Sequence, residues 1–505
     1  MSQRPAVEIA AIAQLLQQCE QNGTAPAYAG RIRMESRGRD VVIISDLHMS
    51  AGRGVDGNYS GTEDFFADEG FVRFIESLRA TPERKTILVI NGDFVDFLRI
   101  TALPDAPNDF GEWSALLERL GITPPEDLKR SIDDKEREYG LKTHEYKSVW
   151  KLSTVLKGHP EVFDALAGWL VEGNSLVIVK GNHDLEWYWP GVRNYLRLVL
   201  ADRILAMDPD HDGLDAVLRT RVLPLVYFVD DSITFDGNFY IEHGHKLDKY
   251  TEIVGKPVLP NGVELNIPFG SFLNRYLLNR IELVYPFLDN VRPSQNLLPM
   301  LFKKDFGLGL RVLFQHIPFM LKIIPKKYYR YMFHDFLVFL LAVAAPIAVM
   351  IFLLVKAAKS NPGLAVPQTG LEGMLAQRST QILGSILMPV LSYFLTRLAA
   401  HFKLVEPGYF SKQVREMFVP QPELRFISLG HTHNPEQFRM DDRWYYNTGT
   451  WIPVIEARSE AVREDKTYTF VHLKQDGTGK LQPAVLMRWN DDACRAEPLV
   501  LFCSK

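Results

Sequence analysis

Asp46-Leu47-His48, Gly92-Asp93, Gly181-Asn182-His183-Asp184, His243-Gly244-His245 and Gly430-His431-Thr432-His433 are the residues of this chain whose types and spacing could do chemistry. Carboxylates, imidazoles and a carboxamide are hard and borderline donors. Such a set suits Mn²⁺, Fe or Zn²⁺ and, having no thiolate, disfavours an all-sulfur zinc site. Two such ions about 3.5–4 Å apart, bridged by a carboxylate, position a hydroxide for in-line attack on phosphorus. Each motif alone reads as an ordinary strand-end turn. As a set they share no structural reason to recur, and they do share that chemical one.

The elements that must position these side chains are visible just before them. Apolar, strand-like runs at 41–44, 87–90, 176–179, 240–241 and 426–429 each precede one motif. Side chains at the C-terminal ends of buried strands converge on one edge of a sheet, where α/β proteins place ligands and chemistry. Residues 6–18 read as a short amphipathic helix. Residues 105–174 carry charged helical patterns, for example at 126–139, and predict a helical excursion before the third strand.

Motif by motif and in order, the chain resembles the calcineurin-like metallophosphoesterases over residues 38–250 and 420–505. The resemblance implies an α/β fold, a four-layer αββα sandwich, and a metal-dependent phosphoric ester hydrolase. It puts Asp46, His48, Asp93 and His433 on one ion and Asp93, Asn182, His243 and His431 on the other, with Asp93 as the bridge. His183 then faces the phosphate as an acid or transition-state donor, and Asp184 orients its ring. His245 is either a supporting residue or a plain turn residue. Asn447-Thr448-Gly449-Thr450 is similar to the family's closing Asn-x-Gly turn, with Thr448 where Pro is common. The implied cofactors are two divalent ions, Mn²⁺ first, with Fe or Zn²⁺ as alternatives.

Composition bounds the rest. A chain of 505 residues has room for one to three domains, and 57 basic against 61 acidic residues give no sign of nucleic-acid binding. Cys19, Cys494 and Cys503 are an odd, scattered set, which fits a reducing compartment rather than a disulfide framework. No secretory signal is evident at the N-terminus, and no Gly-rich loop suggests nucleotide-driven chemistry. Residues 50–65 read as a mobile flap or a solvated loop. Trp187-Tyr188-Trp189-Pro190 walls the site or anchors a helix start.

The interval between His243 and His431 is far longer than a connection needs. Residues 336–355 are apolar throughout except for Pro346, long enough at about 1.5 Å per residue to cross a hydrocarbon core of about 30 Å. A weaker second candidate runs over 382–400. Ligands on both sides must meet in one site, so one span implies another. Lys303, Lys304, Arg311, Lys322, Lys326, Lys327 and Arg330 before the first span set the catalytic part on the cytoplasmic side. The expected organisation is thus an N-terminal helical extension (1–37), the phosphoesterase domain (38–250 and 420–505), a basic amphipathic interfacial segment (251–335), an α-helical transmembrane hairpin (336–400) and a return linker (401–419). In layout this is nearest to UDP-2,3-diacylglucosamine pyrophosphohydrolase-like enzymes, which carry a helical cap at the same point. The expected function is hydrolysis of a phosphoester or pyrophosphate bond, in a lipid-linked substrate, at a membrane whose lipids are partners. The alternatives are the same chemistry on soluble nucleotides or phosphoproteins, and a non-catalytic membrane scaffold or transporter.

Overall fold

The computed structural model describes residues 6–22, 29–54, 56–79, 85–208, 213–284, 290–292, 410–456 and 461–499, with short runs and single positions between 304 and 329. The chain divides into two compact units, Met1–Arg292 with Pro407–Lys505, and Pro293–Glu406. Of the second, the described elements are the helix Phe306–Arg311 and the turn Lys326–Tyr328.

The first unit is a mixed α/β structure on one curled sheet of twelve strands. Its strands are β1 (Ala29–Met34), β2 (Asp40–Ile44), β3 (Thr86–Asn91), β4 (Ser175–Val179), β5 (Val226–Phe235), β6 (Phe239–Glu242), β8 (Phe426–Leu429), β9 (Glu436–Met440), β10 (Arg443–Asn447), β12 (Thr469–Leu473), β13 (Val485–Asn490) and β14 (Arg495–Pro498). A small separate pair joins β7 (Val291–Arg292) to β11 (Ile455–Glu456). The order is β14-β13-β12-β2-β3-β4-β5-β6-β8-β10-β9, with β1 also on β5. Strands β2, β3, β4 and β5 run parallel to one another, flanked by antiparallel pairings of β12 on β2 and β6 on β5, and β6 to β8 and β8 to β10 are parallel again.

All five expected runs are strands, and the central three are buried along most of their length because both sheet faces are covered. Alternation sorts their side chains. Val42, Ile44, Leu88, Ile90, Leu176 and Ile178 join a core shared with helices α2 (Asp68–Arg79), α5 (Glu145–Gly158), α6 (Pro160–Val171) and α7 (Pro190–Met207). Val41, Ile43, Ile87, Val89, Val177 and Val179 point the other way, into a core completed by Ile233, Phe239, Ile241, Phe426, Tyr446 and Val471. The two halves of the sheet therefore face one another across that second core. A third cluster packs Tyr240, Ile427, Leu429 and Tyr445 under the helix Ser411–Phe418.

Two separate sheets were the expectation; hydrogen bonding instead runs unbroken through β5. Ten residues long, β5 pairs with β4 over Val226–Val229 and with β6 over Ser232–Phe235. Its register against β1 slips between those stretches. A bulged corner strand of this kind can serve both halves of a folded sheet.

The helical excursion holds α3 (Pro107–Arg119), α4 (Asp134–Tyr139), α5 and α6. Only the end of the 126–139 pattern is helical. Asp133 starts α4 there by accepting from the Glu136 amide at 2.9 Å while Glu136 accepts from the Asp133 amide at 3.0 Å. Helix α1 (Ala6–Asn22) extends past residue 18, and Ile12, Leu15, Leu16 and Cys19 bury against the main core.

The two-span membrane location with a cytoplasmic catalytic part is corrected. Among the described residues no helix is long and apolar enough to cross a membrane. The physical reason is plain in α7, the longest described helix at 18 residues, which carries Arg193, Arg197, Asp202 and Arg203. The hairpin segments 336–355 and 382–400, and the loop 356–381, lie outside the described residues.

Candidate metal centre

The ends of β2, β3, β4, β6 and β8 meet at one place because the sheet curls so that its two halves face one another. Asp46 and His48 follow β2, Asp93 and Asp96 follow β3, Asn182, His183 and Asp184 follow β4, His243 follows β6, and His431 and His433 follow β8. Their polar atoms interlock. His243 Nε2 lies 3.1 Å from Asp93 Oδ2 and 3.3 Å from Asn182 Oδ1. His433 Nε2 lies 3.3 Å from Asp46 Oδ1 and 3.1 Å from His48 Nε2. The His431 amide donates to Asp46 Oδ2 at 3.1 Å, joining residues 385 positions apart.

The backbone is bent to make this possible. Asp46, His48, Asp93, His431 and His433 all take left-handed φ, between 50° and 70°. Such conformations cost on the order of 1 kcal/mol or more each in a non-glycine residue and persist where surroundings over-determine them. Five of the seven candidate ligands carrying that strain marks the cluster as a site the fold was built to hold. Close approach also fixes two glycines. A Cβ on Gly181 would stand 2.1 Å from Asp93 Oδ1, and one on Gly430 would stand 2.8 Å from Asp46 Oδ2.

The hydrogen-bond partners set the imidazole tautomers. His243 Nδ1–H donates to the Asn91 carbonyl at 2.8 Å, and a carbonyl can only accept, so Nε2 presents its lone pair to Asp93 and Asn182. His48 Nδ1–H donates to Asp96 Oδ2 at 3.0 Å, which leaves its Nε2 lone pair facing His433. Neutral nitrogen lone pairs aimed at buried carboxylates repel unless a cation or a proton stands between them. Asp46 Oδ1 sits in that space, buried and accepting no hydrogen bond.

The chain's own protons currently answer that demand. Burial acts to raise the Asp46 carboxyl, but the imidazoles of His243, His433 and His48 outweigh it and hold the group well below the ordinary carboxylate range. The same balance, with His243 and His183 as the opposing charges, lowers Asp93. In return, burial lowers His243 while Asp93 and Asp46 raise it further, leaving it at about 9. His48 is raised well above its usual value by Asp46, Asp96 and Asp93 against the effect of burial. Among the described residues three groups could hold an ion, the donor atoms within each lying within 4.8 Å of one another: Asp46, His48 and His433; His48, Asp93 and His183; and Asp93, His243 and His431. The donor set, its lone-pair geometry and the orphaned Asp46 oxygen fit a divalent cation.

Asp184 does not orient His183. Its carboxylate is taken up by the Gly181 and Phe94 amides and the Trp187 indole, and burial followed by the neighbouring Asp93 pushes it up to about 7. The ring's partner is Asp96, whose Oδ2 accepts from His183 Nδ1 at 2.7 Å as well as from His48. Asp96 escaped the sequence reading; the signal available was an acid three positions after Asp93 in the same turn. Asn91, Asp248 and Thr251, which fix other rings, had no such signal. His245 is buried beside His243 with its Nδ1 unpartnered, and burial first and the nearby His243 second push it well below the usual histidine range. It belongs to none of the three groups above. Trp187 is an anchor, 1% exposed and packed on Phe94, Phe97 and Phe228. The loop over 50–65 is tied down by Glu63, which accepts from the Ser50, Gly52 and Phe65 amides.

No protein-family model matches the chain, and no curated protein matches it in sequence.

Proposed function

We propose that this chain is a dinuclear-metal phosphoric ester hydrolase of the calcineurin-like type, acting on a phosphoester or pyrophosphate bond. The layering of helices, two facing halves of a curled sheet and the helix Ser411–Phe418 supports reading the fold as the family's αββα sandwich. The observation that carries the function is the set of imidazoles whose second nitrogens are tied to acceptors, so that their lone pairs converge on the buried carboxylates of Asp46 and Asp93. Asp46, His48, Asp93 and His433 would hold one ion, and Asp93, Asn182, His243 and His431 the other. Divalent ions there, Mn²⁺ foremost with Fe or Zn²⁺ as alternatives, would supply charge neutralisation of the phosphate and an acidified water.

The chain's own part is proton handling and orientation. His183 and His433 are the cluster rings that reach solvent most, at 13% and 12% exposure against 4% for His48. The His183 Nδ1–H is committed to Asp96, which leaves Nε2 as the nitrogen that can hand a proton to a leaving oxygen. Burial opposes the charged ring, but Asp96 and Asp93 outweigh it and raise the ring above the ordinary histidine value. Its backbone amide donates to Asp93 Oδ1 at 2.8 Å, fixing the ring relative to the shared carboxylate.

The test is hydrolysis of p-nitrophenyl phosphate and bis-p-nitrophenyl phosphate by the purified chain with Mn²⁺. Turnover should vanish with chelator and return with metal. Asp93→Ala should lower kcat/KM by more than the ~10–100-fold typical of a supporting residue, because it removes the shared ligand. A wild-type chain inert with every divalent ion tried, or an Asp93→Ala variant as active as wild type, would sink the reading.

A further inference from the structure

His431 takes its orientation from a different source than the other ligand rings. His48 and His243 are held from the turn that ends β3, through Asp96 and Asn91. His431 is held from the turn after β6, where the chain begins the long excursion to residue 407. Thr251 Oγ1 donates to the His245 carbonyl at 2.7 Å, so its lone pair is what meets His431 Nε2 at 3.2 Å. The Asp248 carboxylate approaches the same nitrogen at 3.5 Å through Oδ2, while its Oδ1 accepts from the Tyr250 amide at 2.9 Å. Both acceptors face one nitrogen, so Nε2 carries the proton and Nδ1 is left with the lone pair.

The turn itself is rigidly built. The Thr251 and Glu252 amides both donate to the Asp248 carbonyl, at 3.1 and 3.0 Å, and Thr251 is largely buried. On the other side the ring of Phe410 lies nearly parallel to that of His431, at 7° and 6.4 Å between centroids. Asp248 is only 14% exposed, its carboxylate shared between the Tyr250 amide and the His431 ring.

We propose that Asp248 and Thr251 are positioning residues that lock His431 in the tautomer needed for metal binding, and that they govern one of the two ion sites selectively, the one formed with His243, Asn182 and Asp93. This rests on the two-metal reading above. Acceptors behind metal-binding histidines fix ring orientation and basicity, and their loss commonly weakens metal affinity by ~10–100-fold. The site built on Asp46, His48 and His433 has no share in this turn.

Mn²⁺ titration of the full chain by calorimetry and by electron paramagnetic resonance reads both sites without any turnover. Wild type should take two ions. Asp248→Ala and Thr251→Val should keep one with wild-type affinity and weaken the other ~10–100-fold, with loss of the spin coupling between paired ions. Thr251→Ser, which keeps the hydroxyl, should bind as wild type does, and Thr251→Val carries the test alone if Asp248→Ala fails to fold. Two ions with wild-type affinity in Thr251→Val, equal weakening of both sites, or Thr251→Ser as impaired as Thr251→Val would each overturn the proposal. A wild-type chain that takes up no Mn²⁺ would instead remove the metal reading beneath it.

Discussion

One carboxylate oxygen, Asp96 Oδ2, accepts from both His48 and His183, so a single residue orients a candidate metal ligand and the candidate acid together. It is itself fully buried and braced by Arg99, whose Nε lies 3.4 Å away. Opposing its burial, His183 and His48 hold it well below the ordinary carboxylate range. Asp96→Ala should therefore lower kcat on the order of 100-fold and weaken Mn²⁺ about tenfold, both measured by steady-state kinetics across a metal titration. A rate within twofold of wild type would show that these rings hold their places without it. Its spacing from Asp93 marks it only as a nearby acid; its role lies in two hydrogen bonds to groups 48 and 87 positions away.

At the scale of elements, buried ion pairs fasten the loops that frame the site. Arg99 pairs with Asp64 at 2.9 Å and with Glu282, so the 50–65 loop and the segment following residue 278 are gripped by one guanidinium. His159, at the start of α6, bridges Asp68 at 2.7 Å and Glu63 at 3.2 Å. Burial alone would lower this histidine; Asp68 and Glu63 outweigh it and raise it to about 9. A folded-state value above the unfolded one stabilises the fold fully below the unfolded value of about 6.5, and that stability is lost as pH rises through about 9. The amount is on the order of 3 kcal/mol. Melting temperature should fall between pH 7 and 9.5 in wild type, and His159→Gln should lower it at pH 7 and flatten that dependence. A wild-type melting curve independent of pH in this window would refute the bridge's contribution.

For the whole molecule, the site is assembled from chain on both sides of the long insertion. β8, β10 and β12 come from beyond residue 407, β8 pairing with β6 and β10 and β12 with β2, so His431 and His433 reach Asp46 only once these strands have joined the sheet. Binding of the proposed ions would then be coupled to folding of the first unit, and 100 Kd of free Mn²⁺ should stabilise it by about 2.7 kcal/mol per site. Ions must also displace protons from imidazoles such as His243, raised to about 9. Mn²⁺ affinity should accordingly rise with pH between 6 and 9, about tenfold per pH step for each proton released. Thermal shift with and without Mn²⁺, repeated over that range, checks both; a metal shift unchanged by pH would mean that no ligand proton is displaced.

Residue identity and local period were enough to find the strands and the polar residues that cluster at their ends. A run such as residues 176–179 can only bury, and Asn182, His183 and Asp184 directly after it can only emerge at its end. What needed the tertiary structure was everything set by contact between distant segments. The continuous sheet depends on a slip in β5. The partner of His183 is Asp96 rather than its chain neighbour Asp184, because Asp184 is consumed by the Gly181 and Phe94 amides and the Trp187 indole. The left-handed backbone at five of the candidate ligands, and the hydrogen bonds that set the tautomers of His48 and His243, follow from the curling of the sheet. Sequence determines which groups are available and where the chain turns; which nitrogen faces which oxygen is a property of packing between segments hundreds of residues apart, and no local pattern encodes it.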